Sequence, residues 1–219
     1  MRIHLDLSPN ARPVPFNYQQ SLVGAFHKWM GINKFHDDTS LYSLSWLSPG
    51  VCTEEGLDFP KGSTFFISSP LEELHSKMLV GIFKHQWIRW GMKVRDIRIE
   101  KTPDFGTRRR FLAQSPVLIK RSLEGQRHQQ YYYPGDPLAD QYLTETLQVK
   151  LQKAKLSTEV SVRFDSDYQR IGIRKIKYNN IEIKAALCPV IVEGNARAVR
   201  FAWEVGIGNS TGIGFGALR

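Results

Sequence analysis

The sequence predicts an α+β protein in which one order of elements, strand, helix, strand, strand, helix, strand, occurs twice. In the first half, Ile3, Leu5 and Leu7 alternate with polar residues, as in a half-buried strand. Two apolar stripes at helical spacing follow, one ending at Gly31 and the other reaching His85. The predicted elements are strands at 1–8, 41–46, 64–67 and within 87–101, and helices at 17–31 and 69–85. This is the ferredoxin-like order, in which two helices cover one face of an antiparallel sheet.

The second half shows the same order of elements, although the two halves share no visible sequence identity. The predicted elements there are strands at 111–119, 159–164 and 171–192, a helix at 136–156, a last helix that Asn195 can cap, and a final strand in the glycine-rich stretch that follows it. The repeat is therefore one of pattern. We expect two tandem ferredoxin-like units with antiparallel sheets, an N-terminal unit of residues 1–105 and a C-terminal unit of residues 106–219.

Composition and charge indicate the class of partner. With 219 residues, 42% of them hydrophobic, the chain can bury the core of one domain or of two small ones. Lys and Arg outnumber Asp and Glu by 30 to 21, which gives a formal charge of +9. Such a charge favours a polyanionic partner, nucleic acid first, over a neutral metabolite. A basic surface without a polyanionic partner is the alternative.

Cysteine usage and hydropathy exclude other classes of protein. Cys52 and Cys188 have neither zinc-ligand nor redox-motif spacing, which excludes a disulfide scaffold and a Cys-rich metal site. No apolar run approaches the roughly 18 residues of a membrane span. The first residues alternate like a strand, unlike a signal peptide. We therefore expect a cytoplasmic protein with no membrane partner.

The most informative stretch is the C-terminal one, where glycine occupies positions 206, 208, 212, 214 and 216. Alternate glycines remove side chains from one side of the backbone, which allows N–H groups to approach a phosphate chain where a Cβ would collide. A P-loop needs Gly-Lys-Ser/Thr opening a helix, and a dinucleotide-binding turn needs a further helix and an acidic residue. Neither pattern is present. Glycines in a bulge at a sheet edge are the alternative, which explains one or two of the five.

Motifs at both ends of the chain carry a family resemblance. The C-terminal stretch reads WEVGIG at 203–208 and, after a polar spacer, GIGFG at 212–216. The N-terminal stretch reads MRIHL at 1–5 and VPFNYQ at 14–19, followed by a predicted helix. These motifs resemble those of the CRISPR repeat-RNA-processing endoribonucleases, a family within the repeat-associated RNA-binding superfamily. Between the two ends the match is one of element order.

The resemblance implies a fold, an activity and partners. The fold is the same tandem ferredoxin-like arrangement, with the boundary between the units near residues 103–110. The activity is an endoribonuclease that cuts CRISPR repeat RNA (precursor crRNA) without a cofactor, leaving 2′,3′-cyclic phosphate and 5′-hydroxyl ends. The partners are the repeat RNA or crRNA and other subunits of a CRISPR effector complex, in the cytoplasm of a prokaryote. Monomer and homodimer both remain open.

The residues themselves favour chemistry without a metal ion. No two of the six histidines have the spacing of a helical metal site. The tight acidic pairs, Asp37 with Asp38 and Asp165 with Asp167, are typical of solvated turns. RNA permits metal-independent cleavage because its 2′-hydroxyl is a built-in nucleophile that requires only a base, an acid and a stabilising cation. We therefore expect general acid–base chemistry and no metal site.

The resemblance assigns catalytic roles to residues on and after the first helix. Aligning the motif at 14–19 places His27 where members of the family carry a catalytic tyrosine or histidine. It places His36 at the family's catalytic histidine. Without the resemblance, His27 is interpreted as a histidine at the margin of the core, and His36 as a solvated loop residue. Some members have a lysine shortly after the catalytic histidine, but here two aspartates follow, so Lys34 or Lys28 is left to supply the positive charge.

Candidate RNA-binding residues fall into two groups, the glycine-rich stretch and the basic stretches. Lysine and arginine along a groove neutralise phosphates, and aromatic faces stack on unpaired bases. The tyrosines at 131–133 are candidates for such stacking, with a strand that has one buried face as the alternative. The predicted RNA-binding residues are Gly206, Gly208, Asn209, Ser210, Gly212, Gly214, Arg108, Arg109, Arg174, Lys175 and Lys177.

Three functions remain in competition at this stage. The leading one is the metal-independent endoribonuclease. The second is a non-catalytic RNA-binding subunit of a CRISPR ribonucleoprotein complex, which would share the fold, charge and glycines but need neither histidine. The third is a general ferredoxin-like nucleic-acid-binding module, which would lack strand scission and repeat preference.

Overall fold

The computed structural model describes residues 1–31, 39–122 and 129–219. In the first half, the sheet has the strand order β2-β5-β1-β6 with every neighbouring pair antiparallel. This is the ferredoxin-like topology that the order of elements predicts. A short hairpin, β3–β4, which the sequence analysis does not predict, lies in the chain between β2 and β5 and forms a separate two-stranded sheet. The elements are β1 (Arg2–Leu7), α1 (Gln19–Met30), β2 (Ser43–Leu44), β3 (Val51–Thr53), β4 (Gly56–Asp58), β5 (Ser63–Ser68), α2 (Glu72–Lys84) and β6 (Val94–Glu100).

The second half repeats this topology around the sheet β10-β13-β7. Backbone hydrogen bonds of 2.9 and 2.8 Å join Leu112 and Arg219, so the last residues add the fourth strand beside β7. The predicted fold class, two tandem ferredoxin-like arrangements with antiparallel sheets, is confirmed. The division of the chain at residues 105 and 106 stays a prediction. The elements are β7 (Arg108–Phe111), β8 (Ile119–Ser122), β9 (Gln129–Tyr132), α3 (Ala139–Lys153), β10 (Val160–Phe164), β11 (Gly172–Tyr178), β12 (Ile181–Leu187), β13 (Val190–Gly194), α4 (Ala196–Val205) and the 3-10 turn η1 (Thr211–Ile213).

The stretch 171–192, predicted only as strand, contains three strands. Its first two, β11 and β12, pair with each other as a separate hairpin. Asn179 and Asn180 connect them, and both have positive φ, at 47° and 62°. Two left-handed residues in succession form the tight turn that matches the twist of a hairpin, and asparagine tolerates that conformation. The Asn-Asn pair was therefore the sequence signal for this turn.

Each sheet packs its helices on one face. The first core contains Leu22, Phe26 and Trp29 of α1, and the second contains Leu143 and Leu147 of α3 with α4. Among the described helices, none is long and apolar enough to cross a membrane.

A buried arginine joins the first strand to the end of the second half. Arg2 of β1 is 2% exposed, and its guanidinium carbon lies 3.7 Å from the centre of the Phe66 ring and 3.5 Å from that of Trp203. Its Nη2 donates hydrogen bonds to the carbonyls of Leu218, at 2.6 Å, and of Trp203, at 3.3 Å. A planar guanidinium between two aromatic faces gains cation–π attraction, and its donors satisfy two carbonyls at the contact between the halves.

We expect Arg2→Ala to lower the free energy of unfolding by about 3 kcal/mol or more. The substitution removes a desolvated cation–π contact, worth about 2 kcal/mol, and the donor to two carbonyls, at about 1–3 kcal/mol for each buried group left unsatisfied. Equilibrium denaturation in guanidinium chloride measures the change. Arg98→Ala is the matched control, because Arg98 pairs with Asp6 at 3.3 Å in an exposed position and such pairs contribute up to about 1 kcal/mol. Equal losses in the two variants would contradict the assignment.

Candidate functional site

The glycine-rich segment, residues 206–216, is packed inside the protein. Asn209, Ser210 and Ile213 are its half-exposed residues, and the rest are buried. A Cβ added at Gly206 would lie 2.7 Å from the carbonyl oxygen of Gly216, and one added at Gly208 would collide with the carbonyl oxygen of Leu118. Close approach of protein backbone therefore requires glycine at these positions, whether or not RNA binds there.

The N–H groups of this segment are largely engaged by protein carbonyls. Gly206 donates to Ala202 at 2.9 Å, and Gly214 donates to Thr211 at 3.3 Å. The interpretation in which alternate glycines present N–H groups to phosphate does not apply to these two. Substituting Gly208 would not test RNA contact, because its φ of +76° and its neighbours already demand glycine. RNA binding by Gly206, Gly208, Asn209, Ser210, Gly212 and Gly214 stays a prediction.

Asn209 fixes the exposed part of the segment to β8. Its backbone N–H donates to the carbonyl of Leu118 at 2.8 Å, and its side-chain oxygen accepts from the N–H of Lys120 at 2.9 Å. These two bonds hold Asn209 against the start of β8. The half-exposed Asn209 and Ser210 are therefore the residues of this segment best placed for contact with a ligand.

A buried lysine anchors the segment from below. The Nζ of Lys150 on α3 donates to the carbonyls of Val205 and Gly206, both at 3.2 Å, and to Thr211 Oγ1 at 3.1 Å. Thr211 Oγ1 in turn donates to the carbonyl of Tyr42 at 2.9 Å. An ammonium group has three N–H donors, and here it meets three acceptors. This bond network ties α3, the end of α4 and η1 to the strand region of the first half.

The protonation of Lys150 depends on two opposing effects. Burial lowers the pKa of the Lys150 ammonium to about 7. The three acceptors oppose that shift, because hydrogen bonds to the charged form favour protonation. A neutral amine has only two N–H groups, so loss of the proton leaves one acceptor without its donor.

We expect the stability of the wild type, relative to Lys150→Met, to rise between pH 7 and pH 9 by roughly 2 kcal/mol. The unfolded chain keeps the lysine proton up to the ordinary pKa of 10.5, whereas the folded protein releases it near pH 7. The unfolded state therefore binds more protons in this range, and stability rises with pH. Denaturation at several pH values tests this, with exposed Lys153 on the same helix, as Lys153→Met, for control. A difference that is constant with pH would contradict the assignment.

Of the three predicted catalytic residues, the structure describes His27 alone. His27 lies half-buried on α1, with its ring centre 5.3 Å from that of Phe26. His36 and Lys34 lie outside the described residues, so their roles stay predictions. The α1 helix contacts η1 of the glycine-rich segment. The predicted catalytic helix and the glycines, far apart in sequence, are therefore neighbours in the fold.

The chain that follows His36 also reaches the glycine-rich segment. A Cβ added at Gly212 would lie 2.9 Å from the Tyr42 hydroxyl and 3.0 Å from Ser40 Cβ. Trp46 Nε1 donates to the carbonyl of Gly214 at 2.8 Å. Ser40, Tyr42 and Trp46, which follow His36 and Lys34 in the sequence, thus line the glycine-rich segment.

The basic β11–β12 hairpin rests on the glycine-rich segment. Ile176 and Ile183 pack in one cluster with Phe215. Lys175 and Lys177 lie on the other face of the hairpin, where Lys184 is directly opposite Lys175. Arg174 belongs to the face of Ile176, so the structure separates it from the two lysines that the sequence grouped with it.

Arg108 and Arg109 lie far from the glycine-rich segment. Arg108 is opposite Glu193 in the sheet and pairs with it at 2.9 Å, beside the point where α4 begins. The glycine-rich segment begins where α4 ends, ten residues later and therefore about 15 Å away. The structure thus places these arginines at a separate part of the surface.

The tyrosines at 131–133 were candidates for stacking on bases, with a strand that has one buried face as the alternative. The structure supports that alternative for Tyr132. Tyr132 is buried, and its ring centre lies 4.7 Å from that of Tyr142 at an edge-to-face angle. Tyr132 is therefore part of the second core and has no free face for a base.

Sequence reasoning missed Lys150 and Trp46. Lys150 has a detectable signal, because it follows Leu143 and Leu147 on the apolar stripe of α3 and precedes Leu151. A lysine in such a stripe is seldom buried unless its charge is partnered. The bond of Trp46 to Gly214 depends on how the two halves pack, for which a single sequence has no signal.

In the part of the chain that the structure describes, no three His, Cys, Asp or Glu side chains are grouped as metal ligands. Metal independence stays a prediction, since the residues of 32–38 and 123–128 are outside that part.

Comparison with known proteins identifies the family. The family model described as CRISPR associated protein Cas6, C-terminal, matches residues 100–219, more than half of the chain. This chain belongs to the Cas6 family. The resemblance seen in the terminal motifs is therefore confirmed.

Individual members of the Cas6 family are similar over much or all of the chain. The CRISPR-associated endoribonuclease Cas6 1 of Methanocaldococcus jannaschii is 23% identical over 239 residues, covering 100% of this chain and 92% of that protein. The putative CRISPR-associated endoribonuclease-like protein Cas6nc of Pyrococcus horikoshii is 22% identical over 161 residues, covering 71% and 67%. A solved Cas6-related structure from Pyrococcus furiosus gives a TM-score of 0.88 at 20% identity, covering 100% of this chain and 97% of that chain. At that identity the likeness shows the fold.

Proposed function

We propose that this protein is an endoribonuclease that cuts CRISPR repeat RNA by attack of a 2′-hydroxyl on the adjacent phosphate. The observation that carries the proposal is the contact between α1, which holds His27, and η1 of the glycine-rich segment. Ser40 and Tyr42, which follow His36 in the sequence, lie against the same segment. The name of the Methanocaldococcus jannaschii relative, an endoribonuclease, supports the assignment. The proposed setting is the cytoplasm of a prokaryote.

The mechanism requires two proton transfers and one stabilising charge. A base removes the proton of the 2′-hydroxyl, whose oxygen attacks the phosphorus, and the bond from phosphorus to the 5′-oxygen breaks. An acid protonates that leaving oxygen, so the products are a 2′,3′-cyclic phosphate and a 5′-hydroxyl. Histidine suits both transfers near neutral pH. We assign them to His27 and His36, with Lys34 stabilising the charge that develops on the phosphate oxygens.

We expect cleavage of repeat RNA to persist in excess EDTA and to fail on RNA with a single 2′-deoxy nucleotide at the cut site. The chemistry uses protein side chains in place of a metal ion, and the deoxy sugar removes the nucleophile. Gel analysis of end-labelled RNA, with the product ends mapped, checks both expectations. Scission of the deoxy substrate at the usual bond, or loss of cleavage in EDTA that added Mg²⁺ restores, would rule out this mechanism.

We expect His36→Ala to reduce the single-turnover rate by a factor on the order of 10² to 10⁴ while RNA affinity barely changes. His27→Ala should behave likewise, with a smaller loss if its ring orients the RNA and transfers no proton. The control is His85→Ala, whose side chain is exposed at the end of α2. Rates measured at saturating RNA separate chemistry from binding. Wild-type rates in both variants would refute the assignment.

A second candidate function is a non-catalytic RNA-binding subunit of a CRISPR complex. It is supported by the Pyrococcus horikoshii relative, which is named only as putative and endoribonuclease-like. Binding of the repeat RNA by wild type with no cleavage at any pH from 6 to 9 would favour this function over the endoribonuclease.

A further inference from the structure

A trough lies beside α1, and none of its lining residues belongs to the glycine-rich segment. Its volume is about 670 Å³, within the range of about 300–1,000 Å³ found for sites that hold small ligands. One wall is the exposed face of α1, where Gln20, Gly24 and Lys28 lie one turn apart. The other wall is the hairpin-like connection between α2 and β6, with Trp87 and Arg89.

The charge of the trough favours an anion. Lys28 and Arg89 line it, and among the lining residues that the structure describes there is no aspartate or glutamate. Lys93 lies outside this lining, with its Nζ 5.7 Å from the centre of the Trp87 ring. Cations gathered on the walls of one cavity repel one another unless an anion occupies it.

An exposed aromatic face lies beside these cations. Trp87 is 62% exposed, so much of its ring is open to a ligand. It is held there by a turn in which Met92 donates to the carbonyl of Arg89 at 2.8 Å. Aromatic faces next to cations are the pattern by which proteins stack unpaired bases and neutralise their phosphates.

The turn that presents Trp87 is strained. Trp90 has a φ of +55° and is followed by Gly91 at +79°. The first of these two positions ordinarily takes asparagine or glycine, and a bulky residue there costs about 1 kcal/mol or more. The partly buried Trp90 ring packs against the first core, which offsets that cost. The packing of Trp90 and the hydrogen bonds of the turn hold the second wall of the trough.

We propose that this trough binds an unpaired stretch of one or two nucleotides of the RNA, with a base stacked on Trp87 and phosphates near Arg89 and Lys28. A duplex has its bases paired and cannot offer a free base face, so the ligand is single-stranded. The polar side chains of Asn17 and Gln20 face the same space and can bond to base edges. The inference rests on the proposed function, since RNA is the polyanion that function supplies. It adds a binding site on α1, away from the glycine-rich segment.

Gly24 provides a test that leaves the core untouched. A Cβ added there has no atom of the described residues within 4 Å, and alanine is a better helix former than glycine. Gly24→Ala, which adds a single methyl group, should therefore weaken RNA binding much less than Gly24→Phe, which places a ring in the trough. The probe is fluorescein-labelled repeat RNA with a 2′-deoxy nucleotide at the cut site, which prevents cleavage during the measurement.

Trp87 provides the second test. We expect Trp87→Ala to weaken binding of this RNA roughly 5- to 100-fold and Trp87→Phe to retain most of the affinity. Phe83→Ala is the matched control, because Phe83 is 74% exposed on α2 but does not line the trough. A scan of RNAs that each lack one base should reveal a position where removal weakens wild type as much as Trp87→Ala. At that position, removing the base should weaken binding by the Trp87→Ala variant little further, because both changes remove the same stacking contact.

The outcomes separate this inference from the proposed function. Wild-type affinity in both Trp87→Ala and Gly24→Phe, with wild type cleaving its repeat RNA normally, would overturn the trough and leave the endoribonuclease intact. Weakened binding in both variants, with no cleavage by wild type, would support the trough and overturn the endoribonuclease. No binding of repeat RNA by wild type would overturn both.

Discussion

The three hydrogen bonds of the buried Lys150 ammonium set the geometry on which the candidate site depends. They reach the last carbonyls of α4 and the hydroxyl of Thr211, which is bonded to Tyr42 in turn. Because each acceptor takes one of three donors, the segment has one position that satisfies all of them. The glycines at 206, 208, 212 and 216 then permit the close backbone and side-chain contacts that this position creates. Packing of the protein therefore accounts for glycine at these four positions.

The fold was predictable because its signals are local. Alternation in β1, the apolar stripes of α1 and α2, and the Asn195 cap, whose side chain accepts from Ala198 at 2.9 Å, each reflect neighbours in sequence. The order of these elements then restricts the topology to very few choices. What the sequence concealed was the β11–β12 hairpin, because a long run of strand-forming residues hides its turn unless Asn179 and Asn180 are recognised. The last strand, predicted for the glycine-rich stretch, is formed by the final residues, where Arg219 pairs with Leu112, while the glycines themselves surround the turn η1.

The candidate site was predictable only in part, because it is made by contacts between distant segments. The terminal motifs indicated both α1 and the glycine-rich segment, and the structure places these in contact. Grouping basic residues by their density in sequence worked less well. Arg174 and Lys175 are adjacent in the chain but point to opposite faces of one strand, as the period of two requires. Arg108 is remote because α4 separates its end of the sheet from the glycines. The trough at Trp87 combines a helix face with a turn 60 residues later along the chain, a pairing without a local signal.

The sandwich of Arg2 between Phe66 and Trp203 has a consequence for synthesis on the ribosome. Arg2 and Phe66 leave the exit tunnel long before Trp203 and Leu218 have been translated. Until then, one face of the guanidinium and its carbonyl acceptors are lacking, and the first sheet carries a hydrated cation where it will later be covered. The first half of a nascent chain therefore stays partly open to water, and its last contacts form when the second half closes over it. The same dependence means that neither half, expressed alone, has the surface of a finished domain.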